Sequence, residues 1–162
     1  MSEVNKIAKQ IIICFEHNHK ILICGNGGSA AQANHFAAEL VNRMEKWRLP
    51  LPAISLSANT SIITAIANDS KFKYIFSRQI EALGKKGDIL ITLSTSGKSK
   101  NILEAIKITH YLGLKVISFP TNKELKSKTP QTQETHLHMI HEISREIEDY
   151  YMQDYTKLGG RD

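Results

Sequence analysis

The chain has 162 residues, 41% hydrophobic and 23% charged, with a formal net charge of +5. That is the size and composition of one globular domain, 1–162, with room for a real core, and it excludes a disordered or collagen-like chain. No apolar run approaches the roughly 18 residues a membrane span needs. Met1-Ser2-Glu3-Val4-Asn5-Lys6 lacks the apolar region of a signal peptide, so a cytoplasmic protein is expected.

The lysines cluster at Lys85-Lys86, at Lys98 and Lys100, and at Lys123, Lys126 and Lys128. No stretch interleaves basic and aromatic residues, so the positive balance reads as solvated surface that attracts an anionic substrate, with no nucleic-acid partner. Cys14 and Cys24 both sit in apolar surroundings and read as buried core thiols rather than ligands or nucleophiles.

In chain order, Val4, Ile7, Ala8, Ile11, Ile12 and Phe15 form a helical stripe between Val4 and Asn18. Lys20 to Cys24 is a short apolar run of strand character. Gly25 to Gly28 turns the chain, and Ser29 is placed to cap a helix running to about Arg43. Pro50 and Pro52 bound a loop before a second strand, Ala53 to Leu56. Asn59 or Thr60 starts a short helix ending near Asn68-Asp69. Ser70 is placed to cap the next, with Phe72, Ile75, Phe76, Ile80 and Leu83 inward and Gly84 as its stop. Asp88 to Leu93 is the third strand. Ser99 to Leu112 is a helix carrying Ile102, Leu103, Ile106 and Leu112, closed by Gly113, and Lys115 to Phe119 is the fourth strand. A polar stretch, Thr121 to Gln131, precedes a last helix from about Thr132 to Tyr155 with Leu137, Ile140, Ile143, Ile147 and Tyr151 on one stripe. The tail Leu158 to Asp162 is expected to fray.

Short apolar strands alternating with helices predict an α/β fold: a three-layer, doubly wound parallel sheet of about four to five strands with helices on both faces. Ligands bind such sheets outside the carboxyl ends of the strands. Two loops there share one character. Cys24-Gly25-Asn26-Gly27-Gly28-Ser29 follows the first strand and Ser94-Thr95-Ser96-Gly97-Lys98-Ser99 the third, each leading into a helix. Hydroxyls and free backbone N–H groups at a helix N-terminus favour an anion, and the natural occupant is a phosphate.

His35 and Glu39 are four apart, hence on one helical face, either as a surface pair or aimed at the ligand. Gln133, Glu134, His136, His138 and His141 crowd the last helix. His136 and His138 read as solvent-facing. His35, Glu39, Gln133 and His141 make a mixed N/O set suited to zinc. But Gln133 and His141 stand eight residues apart, about 12 Å along a helix. Both reach one ion only if Gln133 sits at a loosened first turn, which Pro130 would allow. Asn68-Asp69 either bind sugar hydroxyls or merely cap a helix.

Several motifs occur in order: the loop Cys24 to Ala30, His35-Phe36-Ala37-Ala38-Glu39-Leu40, Ala67-Asn68-Asp69, Phe76-Ser77-Arg78-Gln79, the loop Ser94 to Ser99, and Gln133-Glu134-Thr135-His136 with His141. Together they resemble the sugar isomerase (SIS) fold family, and closely its phosphoheptose isomerase branch. The resemblance implies a flavodoxin-like SIS domain that interconverts sedoheptulose 7-phosphate and D-glycero-D-manno-heptose 7-phosphate, on the way to lipopolysaccharide, capsule or other surface-glycan heptose. It implies a homotetramer with sites between subunits. It implies zinc, one per subunit, on residues like His35, Glu39, Gln133 and His141, with no nucleotide or organic cofactor. Substrate contacts would fall to Asn26, Gly27, Gly28, Glu39, Asn68, Asp69, Ser94, Thr95, Ser96, Ser99 and Gln133. Glu39 is expected as catalytic base and His141 as its acid/base partner. Two other readings are a protein-binding relative of the replication-initiator-associating type and a sugar-phosphate sensor.

Three departures from the family pattern stand out. Lys98 replaces an asparagine, Ala67 replaces a glycine, and the segment from Phe119 to Gln133 is too short for the further strand similar proteins place there. A truncated sheet edge is therefore expected.

Overall fold

The structure, a computed structural model, describes residues 1–157, with side chains described through residue 152. The expected fraying of Leu158 to Asp162 lies outside the described residues. The elements are α1 (Glu3–Glu16), β1 (Ile21–Gly25), α2 (Gly28–Val41), β2 (Ala53–Ser55), α3 (Thr60–Asp69), a 3-10 turn (Phe72–Tyr74), α4 (Ser77–Leu83), β3 (Ile89–Leu93), α5 (Lys100–Tyr111), β4 (Lys115–Ser118), α6 (Asn122–Leu125) and α7 (Thr129–Lys157).

The four strands pair in parallel in the order β2-β1-β3-β4. Ile21 to Gly25 lie opposite Ile89 to Leu93 in register, and every residue of both strands is buried. Alternate side chains serve the two layers. Ile21, Ile23, Ile89, Ile91 and Leu93 pack with α1, α2 and α7 on one face. Leu22, Cys24 and Leu90 pack with Leu56, Phe76, Ile80, Ile102 and Leu114 on the other. Each fully buried aliphatic contributes about 1.5–3 kcal/mol, so a polar substitution on either central strand breaks one layer or the other.

The chain runs from β1 to β2 on one side of β1, then returns to place β3 on the other. The crevice between the carboxyl ends of β1 and β3 is therefore the topological switch point, where open α/β sheets hold ligands. Beyond β4 no further strand follows among the described residues. Thr121 to Gln131 holds only the four-residue α6, closed by a Thr121–Glu124 capping box, and the start of α7. The sheet edge is short, as expected.

Several local expectations are corrected. The α2 cap is Gly27, not Ser29, because Gly27 takes φ +55 where a side chain would be strained, and Ser29 lies buried inside the helix. Ser70 closes α3 through its backbone and caps nothing after it. Phe72, Leu83, Leu103 and Leu137 are exposed rather than inward. On α7 Ile140, Ile143 and Ile147 of the expected stripe are buried and Tyr151 packs partly buried against the same core, while Leu137 is exposed and Thr132, His136, Ser144 and Glu148 join the buried face, so His136 is core. That helix also begins at Thr129, three residues early. Cys14 and Cys24 are buried free thiols; burial pushes Cys14 up to about 11 and raises Cys24 further.

Candidate active site

Two groups of residues lie along α2 and α7, the first of them at the carboxyl end of the sheet. The first lines a cavity of about 270 Å³ at the switch point: Asn26, Gly27, Gly28, Ser94, Thr95, Ser96, Ser99 and Gln133, with Leu93, Ser29 and Thr129. The N-cap residues of α2 and α5, Gly27 and Ser99, line this cavity and make no side-chain cap bond, so both helix dipoles end at it. Ser94 Oγ accepts from Gly97 N at 3.1 Å and Ser96 Oγ from Lys98 N at 3.1 Å, which curls the loop round its hydroxyls. Gly97 takes φ +64 at the apex.

Asn26 and Asn101 join the two loops through a reciprocal amide pair. The Asn26 side chain is thereby engaged with Asn101. Gln133 projects from α7 over Gly28. A Cβ there would stand 2.7 Å from Gln133 Nε2, so the glycine makes room for the glutamine amide. Gln133 is a full turn inside α7, not at a loosened first turn.

The second group lies deeper along the same helices. His35 Nε2 and His141 Nε2 face each other at 3.0 Å, with the rings edge to face. Glu39 Oε1 lies 3.4 Å from His35 Nε2. Glu39 Oε2 is buried with no hydrogen-bond partner among the described residues. A buried carboxylate oxygen left unsatisfied is costly, and such an atom is open to a ligand the described residues do not supply. His35, Glu39 and His141 thus converge, while Gln133 keeps to the first group.

Asn68 and Asp69 join neither group. Asn68 donates to Asp69 Oδ1 at 2.9 Å at the exposed end of α3, and Asp69 lines a separate cavity with Arg78 and Glu81. His138 is exposed, as expected. His136 is wholly buried. Its Nε2 bonds Pro120 O at 2.7 Å, and burial pushes its pKa down.

Three polar residues around these groups escape sequence reasoning. Asn101 is two residues past the serine loop, which ends at Ser99. Arg48 and Glu148 are both buried charges, and the available signal was a glutamate on the apolar stripe of α7, between Ile147 and the next turn. Glu148 accepts backbone N–H groups from Met44, Glu45 and Lys46 at 2.6–3.1 Å. Arg48 donates to the carbonyls of Glu39, Leu40 and Leu49 at 2.5–2.9 Å.

A model of the SIS domain matches residues 1–120. A phosphoheptose isomerase of Campylobacter concisus is 45% identical over 149 residues, covering 84% of this chain and 79% of that one. One of Helicobacter pylori is 47% identical over 154 residues, covering 87% and 80%. The chain belongs to the SIS domain family, in its phosphoheptose isomerase group. The solved phosphoheptose isomerase of Neisseria gonorrhoeae superposes with a TM-score of 0.82 at 36% identity, over 90% of this SIS chain and 85% of that one. Among the described residues no helix is long and apolar enough to cross a membrane.

Zinc is the metal this family resemblance implies. Among the described residues no group of three or more His, Cys, Asp and Glu side chains already closes round one point. The donor chemistry nevertheless fits: two imidazole nitrogens face each other, and the neighbouring carboxylate keeps an unpartnered buried oxygen.

Proposed function

We propose that this chain isomerises a seven-carbon sugar phosphate, sedoheptulose 7-phosphate, to the aldose D-glycero-D-manno-heptose 7-phosphate. The observation that carries the reading is the meeting of His141 from α7 with His35, beside Glu39, on α2, 106 residues away in sequence.

The spacing of the two groups suits the substrate. Gly28 to His35 and Gln133 to His141 are each two turns of helix, about 10–12 Å. A seven-carbon chain from its phosphorus to C1 spans about 10 Å when extended. Phosphate held by Ser94, Thr95, Ser96, Ser99 and the uncapped helix ends would therefore set C1 and C2 beside Glu39 and His141. Remote binding energy then positions the reacting carbons.

The chemistry follows from the residue types. Glu39 removes a proton from C1 of the ketose, the electrons move into a C1–C2 enediol, and a proton returned to C2 leaves the carbonyl at C1. His141 shuttles the hydroxyl protons between O1 and O2. Zinc, one per subunit, would be held by His35, Glu39 and His141 and would supply electrophilic stabilisation of the enediolate; Gln133, the fourth ligand the family resemblance implies, lines the loop cavity in this chain.

Asn68 and Asp69 would contact substrate only from another subunit. α3 buries none of its residues within the chain, and Ile62 on it is 38% exposed. Both facts support sites completed in a homotetramer. A cytoplasmic enzyme feeding heptose into bacterial surface glycans is the setting we propose. The protein-binding and sensor readings gain no support from a converged base and imidazole.

The test is to incubate the zinc-supplied protein with sedoheptulose 7-phosphate and follow aldose formation in wild type and Glu39→Gln. We expect turnover that falls about 10²–10⁴-fold in the variant. A fully active Glu39→Gln would overturn the assignment of the base, and an inactive wild type the function itself.

A further inference from the structure

Glu39 stands in the last turn of α2, two residues before the helix ends at Val41. The final carbonyls of a helix have no partner within it, and such ends fray. Here they are held by Arg48. Its Nη2 donates to Glu39 O at 2.5 Å, and its Nη1 to Leu40 O at 2.7 Å and Leu49 O at 2.9 Å. A cation at this end also opposes the negative pole of the helix dipole.

The guanidinium is in turn set against α7. Its Nε lies 3.9 Å from Glu148 Oε1, and both side chains are fully buried. Glu148 is seven residues beyond His141, on the same face of that helix. Its two oxygens take the three consecutive N–H groups of Met44, Glu45 and Lys46, which fixes the loop that delivers Arg48. The chain of contacts thus runs from the Glu39 backbone through Arg48 to Glu148, and along α7 to His141.

We propose that Arg48 and Glu148 are positioning residues for the isomerisation, a buried clamp that sets the spacing of Glu39 and His35 on α2 against His141 on α7. Neither touches the sugar. A buried ion pair seldom adds net stability over apolar packing, so its use here is geometric. A fork that grips neighbouring carbonyls at once fixes the rotation of the turn carrying Glu39. A lysine ammonium on a flexible stem holds no such plane.

The inference rests on the catalytic reading of Glu39 and His141, and the experiment separates the two. Full-length wild type, Arg48→Lys and Glu148→Gln are supplied with zinc and assayed with sedoheptulose 7-phosphate. The ¹⁵N resonances of the His35 and His141 rings are recorded, and folding is followed by circular dichroism. The phosphate cavity is lined by the opposite ends of α2 and α7 and by the serine loop, away from the clamp, and a misplacement of about 1 Å costs roughly 10²-fold in rate. We therefore expect kcat to fall at least about tenfold in each folded variant while KM stays within about twofold. The two histidine resonances should shift in both.

Folded variants with wild-type kcat and unmoved resonances overturn the proposal. So do variants in which kcat loss merely tracks the unfolded fraction, or two variants that both fail to fold, since the pair is then structural alone. If wild type itself shows no turnover, the catalytic reading has failed. The ring resonances then decide by themselves whether the clamp sets the His35–His141 contact.

Discussion

Asn26 and Asn101 exchange two amide hydrogen bonds, at 2.9 and 2.7 Å, across the crevice between the loop after β1 and the start of α5. Asn101 is 3% exposed. The pair holds the glycine loop and the serine loop at one separation, and so sets the width of the cavity proposed for the phosphate end.

Removing Asn101 leaves Asn26 unpaired and frees the loops from each other. Two hydrogen bonds of about 0.5–1.5 kcal/mol each correspond to roughly a tenfold rise in KM for the sugar phosphate in Asn101→Ala. The rate constant should change little, because Glu39 and His141 lie about three and two turns of helix from the residues of α2 and α7 that line this cavity. Steady-state kinetics of Asn26→Ala, Asn101→Ala and the double variant check this. One unit predicts a double variant no worse than either single one. Strictly additive losses would show the side chains acting separately.

Gly28 makes a second prediction about the same cavity. An added Cβ would meet Gln133 Nε2 at 2.7 Å and Oε1 at 3.0 Å, the far end of a flexible side chain. Gly28→Ala should therefore barely alter stability, since Gln133 can swing aside, and alanine suits a helix better than glycine. Activity should fall with Gln133 displaced. Melting temperature and turnover measured together decide it: equal losses in both would mean the glycine serves the fold alone.

Legibility in the sequence followed the physics of each feature. The serine loop could be read because a run apolar but for Thr92, Ile89 to Leu93, stops in hydroxyls, the pattern of a strand buried on both faces. The Gly27 cap was missed because serine is the commoner cap, while the deciding quantity is a φ of +55 that sequence does not print. His136 was placed in solvent by its polarity. It is buried because Pro120 O accepts from its ring and Phe119 packs edge-on against it, both sixteen or more residues away. Arg48 is invisible in the sequence for the same reason, and Glu148 shows only as a glutamate on an apolar stripe: a buried pair is set by tertiary partners, not by local spacing. The convergence of His35, Glu39 and His141 was expected from the family resemblance, since residues on α2 and α7 share no periodicity.

Metal removal tests the donor set directly. If zinc sits on His35, Glu39 and His141, dialysis against a chelator should abolish turnover and zinc should restore it, with about one ion per subunit by elemental analysis. His35→Ala should lower the stoichiometry well below one. Gln133→Ala distinguishes the roles of the fourth residue. It lines the loop cavity in this chain, so we expect its loss to raise KM while leaving most of the zinc in place. Loss of zinc in that variant would instead place Gln133 on the metal.

His136 gives a prediction about pH. Burial holds its folded pKa below the ordinary histidine value, while the backbone bond to Pro120 opposes the shift only in part. As pH falls through about 6.5, the unfolded chain takes up a proton that the folded one refuses. The unfolded state then binds more protons, so stability drops as pH falls, with a slope for this one group of at most about 1.4 kcal/mol per pH unit, and levels off below the folded pKa. Thermal melts of wild type between pH 7.5 and 5.5 should therefore decline. His136→Gln, whose amide can still donate toward Pro120 O but does not titrate, should lose part of that decline even if it is less stable at pH 7.5. Identical slopes in the two proteins would mean that the acid sensitivity resides elsewhere.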